Sequence, residues 1–142
     1  MSVDILIASA PGGHLSVAEE LFNESKYNFV YIITSSKKEI AKNKTEFIIE
    51  SNRDFKIFLQ FYFAFKFIVK YKPKCVISTG AGVAIPFLMI AKFFLIKTIF
   101  IESASRVKSL SLAGKLVYFF SDYFFVRSEQ LKNKYSKVIY VK

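Results

Sequence analysis

Tryptophan is absent from this 142-residue chain, and cysteine and histidine occur once each, as Cys75 and His14. A single cysteine excludes a disulfide framework and suits a reducing compartment. A single histidine leaves no His–His or Cys–His cluster, so metal-assisted hydrolysis and triad chemistry lack their parts, and no metal or cofactor is implied. Acidic residues are also scarce: 11 Asp and Glu stand against 21 Lys and Arg, for a formal net charge of +10. The glycines fit neither G-x-G-x-x-G nor the Gly-Lys-Ser/Thr ending of a P-loop, which argues against dinucleotide and ATP chemistry. The N-terminus lacks a basic segment ahead of an apolar stretch, so it reads as a strand and not as a signal peptide.

Membrane-spanning runs are lacking too. Residues 55–69 would give a helix of roughly 22 Å against a hydrocarbon core of about 30 Å. Residues 83–101 are long enough, but Pro86, Lys92 and Lys97 interrupt them. A lysine near the centre of a spanning helix costs about 2.5–3.5 kcal/mol. This stretch divides instead into a buried helix and a buried strand.

What the chain has in quantity is apolar and basic: 53% hydrophobic residues, 17 of them Phe. That pairing points to an anionic partner with an apolar component. A membrane surface fits, whereas nucleic-acid binding asks for charge but not for an excess of Phe. The length suits one domain, residues 1–142.

Short β-branched runs alternate with helical stretches. Strands are expected at 3–9, 28–34, 46–50, 74–79, 97–101, 123–126 and 138–141. Helices are expected at 14–25, 53–71, 83–95 and 111–121. This alternation defines an α/β fold with a doubly wound, mostly parallel, Rossmann-like sheet.

On a helical wheel, Arg53, Lys56, Gln60, Lys66 and Lys70 share one arc of roughly 140°. Ile57, Phe58, Phe61, Ala64, Phe65, Ile68 and Val69 fill the remainder, which would pack on the sheet. Leu59, Phe63 and Phe67 fall within the basic arc. Apolar side chains among lysines suit an interfacial helix whose rings dip below lipid headgroups. The expected membrane contacts are therefore Arg53, Lys56, Leu59, Phe63, Lys66, Phe67 and Lys70; the other readings are that Leu59, Phe63 and Phe67 meet a partner subunit or are covered by another element of the fold.

Ligands of a doubly wound sheet bind beyond the carboxyl ends of its strands. Three loops lie there. The first carries Gly12, Gly13 and His14, where a helix N-terminus favours phosphate and His14 is a candidate general base for a sugar hydroxyl. The second is Thr79-Gly80-Ala81-Gly82, another small-residue turn feeding a helix. The third runs from Glu102 through Ser103 to Arg106; Glu102 would either orient a sugar hydroxyl or pair with Arg106. Two anion-friendly turns on one edge suggest a pyrophosphate or a phosphosugar.

Taken in order, Gly12-Gly13-His14-Leu15, Val76-Ile77-Ser78-Thr79-Gly80-Ala81-Gly82 and Phe100-Ile101-Glu102-Ser103-Ala104-Ser105-Arg106 resemble the asparagine-linked-glycosylation-14 family and its bacterial PssD-type polysaccharide-biosynthesis counterparts. Ser109-Leu110-Ser111-Leu112-Ala113-Gly114-Lys115 and Ser121-Asp122-Tyr123-Phe124 extend the match. The family is similar to the N-terminal half of a GT-B glycosyltransferase such as the cell-wall enzyme MurG. The resemblance implies an acceptor-binding subunit that works with a second chain carrying the UDP-sugar site, on a polyprenyl-pyrophosphate-linked saccharide, at the cytoplasmic face of the membrane. Transfer of a hexose or N-acetylhexosamine in capsule or exopolysaccharide synthesis is the implied reaction. With no second domain in sight after the last strand, independent activity is not expected. His14 and Glu102 become the candidate catalytic residues, and Gly12, Gly13, Thr79, Gly80, Ala81, Gly82, Ser103 and Arg106 the candidate acceptor- and phosphate-binding residues. The other reading is a non-catalytic membrane scaffold that recruits and activates the partner.

Overall fold

Among the described residues, seven parallel strands form one sheet in the order β3-β2-β1-β4-β5-β6-β7. The computed structural model describes residues 2–34, 44–51 and 54–142. Along the chain run β1 (Ile5–Ser9), α1 (Gly13–Phe22), β2 (Phe29–Thr34), β3 (Thr45–Ile48), α2 (Lys56–Tyr71), β4 (Cys75–Ser78) and α3 (Ala84–Phe93). There follow β5 (Lys97–Ile101), α4 (Leu112–Val117), β6 (Tyr123–Val126), α5 (Glu129–Lys134) and β7 (Val138–Tyr140). The strand order reverses between β1 and β4. Loops leaving these two strands part to opposite faces, and the gap between them is where a doubly wound sheet offers a binding crevice.

All five residues of β1 are buried, as a central strand covered on both faces requires. One face carries Leu6, Val30, Ile32, Val76, Phe100 and Phe124 against Ala64, Ile68, Phe87, Leu88, Val117 and Leu131 from the four later helices. The other carries Ile5, Ile7, Tyr31, Ile33 and Ile77 against Ala18, Leu15 and Phe22 of α1. Helix α5 is not among the sequence expectations: it is six residues long and buries Leu131 alone. Its local signal is Ser128, whose hydroxyl caps the helix by accepting from Leu131 N–H. Helix α4 ends at Val117, short of residue 121, and the turn that follows closes on Val117 O, which accepts from Phe120 N–H, Ser121 N–H and Ser121 Oγ.

Helix α2 is rotated from the orientation that hydropathy predicts. Gln60, Ala64, Phe67, Ile68 and Tyr71 face inward. Two polar anchors set this rotation: Gln60 Nε2 donates to Ile49 O at 2.9 Å, and the Tyr71 hydroxyl bonds to Glu46. A wheel drawn from hydropathy places Gln60 in solvent and cannot register either anchor. Phe67 is therefore buried at 5% exposure, stacked between Phe63 and Tyr71, and Phe63 is half-buried. Neither presents the exposed ring that membrane contact was expected to use. Phe58, Phe65 and Val69, expected on the sheet, are exposed instead together with Tyr62. Their spacing of i, i+4, i+7, i+11 makes one face. Met89, Phe93, Phe94 and Leu95 extend it from the end of α3, joined through the Phe65–Phe94 ring contact at 5.9 Å. Leu59, Lys56, Lys66 and Lys70 remain exposed, although Lys70 also pairs with Glu46 at 2.7 Å. Arg53 lies outside the described residues.

Asp122 ties β5 to β6. Its carboxylate accepts from Thr98 N–H at 2.8 Å and Thr98 Oγ1 at 3.1 Å, and pairs with Lys92 at 2.5 Å. Burial pushes its pKa upward, but the bonds from Lys92 and Thr98 outweigh burial and leave it lowered. A carboxylate with a lowered folded pKa stabilises fully above its unfolded value of about 3.9 and loses that contribution as pH falls through the folded pKa. Asp122→Ala is expected to cost about 2 kcal/mol near pH 7, and progressively less as pH falls below about 3.9 toward the lowered folded pKa, in urea titrations across that range.

Candidate functional site

At the switch point, the turn after β1 runs through Gly12 at φ 86° into α1. A positive φ of this kind costs glycine nothing and other residues much. It brings the first-turn N–H groups of α1, which have no intrahelical acceptor, to the carboxyl edge of the sheet. His14 sits in that turn, reaching across the β1–β4 gap to place Nδ1 2.9 Å from Thr79 O. A carbonyl can only accept, so Nδ1 carries the proton of the neutral ring and Nε2 keeps a lone pair.

Thr79 holds this arrangement twice over. Its Oγ1 donates to His14 O at 2.7 Å and also bonds to Ser9 Oγ at 2.9 Å. Thr79 is buried at 2% exposure with both polar ends engaged, so it positions His14 and is not free to hold phosphate as expected. Gly80 has φ 125°, and a Cβ there would lie 2.7 Å from His14 Cε1 and Nδ1. It is the flat floor beneath the imidazole and not a ligand contact. Gly80→Ala is expected to leave the sheet intact but displace His14, cutting activity at least tenfold, as kinetics alongside circular dichroism would reveal. Ala81 follows at φ 68°, a strained left-handed position for a residue with a side chain.

Glu102, at the end of β5, is 3% exposed. Its Oε1 accepts from Ser103 N–H at 3.0 Å, and its Oε2 from Ser111 N–H and Ser111 Oγ, both at 2.9 Å. A Cβ on Gly114 would collide with this carboxylate, so Gly114 is required by Glu102. Among the described residues Glu102 makes no ion pair with Arg106; it braces the β5–α4 loop that carries Ser103, Ser105 and Arg106. Ser103 and Ser105 bond through their hydroxyls at 2.9 Å.

These parts enclose a cleft of about 320 Å³ lined by His14, Ala81, Gly82, Glu102, Ser103 and Arg106, with Ser51, Ile57, Gln60, Ile85, Ser105, Ser111, Leu112 and Ala113 completing its walls. A second hollow of about 220 Å³ adjoins it, lined by Gly13, His14, Thr79, Glu102 and Ser103 among others. All three expected loops thus converge on His14 and Glu102. Gly12 shapes the turn without lining either hollow. Ser51, Gln60 and Ser111 are absent from the sequence expectations; Gln60 had the appearance of a solvated helix residue. Cys75 lies at the opposite edge of the sheet, and burial pushes its thiol up to about 11, which removes it as a nucleophile near neutral pH.

The fold, with its cleft at the β1–β4 switch point, is a doubly wound α/β domain with a seven-stranded parallel sheet. Solved structures bear this out: the UDP-GlcNAc 2-epimerase of Methanocaldococcus jannaschii superposes with a TM-score of 0.76 at 15% identity, over 97% of this chain and 45% of that one. MurG of Acinetobacter baumannii superposes with a TM-score of 0.68 at 14% identity, over 87% and 41%. The chain belongs to the family described as "Oligosaccharide biosynthesis protein Alg14 like", which matches residues 19–142. Glu102 and the β4 turn lie within the matched span, and the Gly12–His14 loop lies ahead of it. The mouse UDP-N-acetylglucosamine transferase subunit ALG14 is 34% identical over 93 residues, 61% of this chain and 43% of its own length. The human subunit of the same name is 35% identical over 86 residues, 56% and 40%. The chain therefore spans less than half the length of the curated relatives it matches. Among the described residues, no helix is long and apolar enough to cross a membrane.

Proposed function

We propose that this chain is the acceptor-binding, membrane-facing subunit of a two-chain glycosyltransferase, with residues 1–142 forming one acceptor-side domain. A partner chain supplies the UDP-sugar, and a hexose or N-acetylhexosamine passes to a polyprenyl-pyrophosphate-linked saccharide, in the synthesis of a lipid-linked glycan of the capsule or exopolysaccharide type. The observation that carries this reading is the His14–Thr79 contact at the mouth of the switch-point cleft.

With Nδ1–H held by Thr79 O, Nε2 is the basic atom of His14. It takes the proton of the acceptor hydroxyl as that oxygen attacks the anomeric carbon, and UDP departs with the electrons of the broken glycosidic bond. The acceptor pyrophosphate fits the first-turn N–H groups of α1, the Ala81-Gly82 turn and Arg106. Glu102 keeps the Arg106 loop in place. Both donor and acceptor must be held in line, so proximity supplies much of the acceleration.

The membrane-facing part rests on the exposed side of α2 and α3. Phe58, Tyr62, Phe65, Val69, Met89 and Phe93 share it, with Lys56 and Lys66 alongside. The same helices line the cleft through Ile57, Gln60 and Ile85, so a lipid-borne acceptor would meet cleft and bilayer together. Titration of a water-soluble, short-prenyl diphosphate N-acetylglucosamine into the chain tests the acceptor-side assignment. Saturable binding of this probe, with no binding of UDP-N-acetylglucosamine, is expected; the reverse preference would overturn it.

A further inference from the structure

Gln60 is a polar side chain of the cleft that the mechanism leaves unused. It is 2% exposed, stands on α2, and lines the cleft with His14, Glu102 and Arg106. Because Nε2 donates to Ile49 O, the other end of the amide is the oxygen. That Oε1 is buried and has no donor among the described residues. Such atoms are rare in folded proteins, because they give up hydrogen bonds to water and gain none. The other one among the described residues, Tyr31 Oη, belongs to the cluster beneath α1 on the opposite face of the sheet. Ile57 and Ile85 line the same cleft as Gln60, and an apolar residue at position 60 would avoid the unmet acceptor.

We propose that Gln60 is an acceptor-sugar-binding residue whose Oε1 receives a hydrogen bond from a hydroxyl or N-acetyl N–H of the sugar. A pyrophosphate has no hydrogen to give, so Gln60 reads the sugar and not the phosphates. This sets the direction of the acceptor: pyrophosphate toward the α1 N-terminus and Arg106, sugar ring toward α2. The proposal rests on the acceptor-side reading above.

The test titrates the full chain with the short-prenyl diphosphate N-acetylglucosamine and with analogues lacking one hydroxyl or the N-acetyl group in turn. Gln60→Met is expected to weaken binding of the parent probe about tenfold. One analogue should bind the wild type equally weakly and lose nothing further in Gln60→Met. A thermal melt separately reports loss of the Ile49 anchor. In the wild type, the Gln60 side-chain amide resonance should shift on adding the probe but not on adding that one analogue, a measurement independent of how the variant folds. Parent affinity within twofold of wild type in a folded Gln60→Met, or an amide resonance unmoved at saturation, overturns the assignment alone. A wild-type chain that binds no probe overturns the acceptor-side reading with it.

Discussion

His14→Ala is expected to lower sugar transfer by the reconstituted pair about 10³-fold, within the range of lost general-base catalysis, while leaving the thermal midpoint nearly unchanged. The side chain contributes one hydrogen bond to Thr79 O and little to the core, so folding and chemistry separate cleanly at this position. Thr79→Val supplies the intermediate case. It keeps the carbonyl that orients Nδ1 but removes the hydroxyl that ties Thr79 to His14 O and Ser9, and about a tenfold loss in kcat is expected. A pair that keeps full activity with His14→Ala would remove the base and favour a scaffold, in which all the chemistry belongs to the partner. The assay is initial-rate transfer to the short-prenyl acceptor at saturating donor.

The second large effect concerns the exposed face of α2 and α3. Replacing Phe58, Phe65 and Phe93 together by Ser is expected to weaken binding to anionic vesicles by about 100-fold, since each ring gains at least about 1 kcal/mol on leaving water. Lys56→Gln and Lys66→Gln should each weaken it about fivefold at low salt, from about 1 kcal/mol per cation near an anionic surface, and less at high salt. Phe67→Ala supplies the contrast. Its ring is buried between Phe63 and Tyr71, so it should leave vesicle binding unchanged while costing about 3–5 kcal/mol of stability. Vesicle sedimentation and urea unfolding on the same preparations separate the two. If Phe67→Ala abolished binding in a folded chain and the triple variant did not, the exposed face would not be the docking surface.

How far the sequence revealed these features depended on whether they were local. The strands were legible because a parallel sheet covered on both faces demands near-continuous apolar runs, and residues 3–9 and 28–34 come close to that, with Val or Ile at 3, 5, 7, 30, 32 and 33. The turns at Gly12–His14 and Thr79–Gly82 were legible as well, since small residues between a strand and a helix mark the crevice edge. What a single segment could not disclose was contact between segments. The rotation of α2 depends on Gln60 finding Ile49 O and Tyr71 finding Glu46, two pairings across the fold that reverse the roles of Phe65 and Phe67. The same holds within the site. Nothing in Thr79-Gly80 by itself says that one holds His14 and the other makes room for its ring. Glu102 reads from the sequence as a carboxylate for a sugar hydroxyl or for Arg106, yet three donors from Ser103 and Ser111 surround it once α4 folds back. Helix α5 escaped because its six residues bury Leu131 alone, too little for a periodic signal.

The central claim is that this chain supplies half of a catalytic cleft, and transfer from labelled UDP-N-acetylglucosamine to the prenyl diphosphate acceptor tests it most directly. The reaction is run with this chain, with the proposed nucleotide-sugar-binding partner chain, and with both. Activity from the two together, absent from either alone and lost with His14→Ala, is the predicted result. Full activity from the partner alone, on the same acceptor and in the same membranes, would contradict the claim.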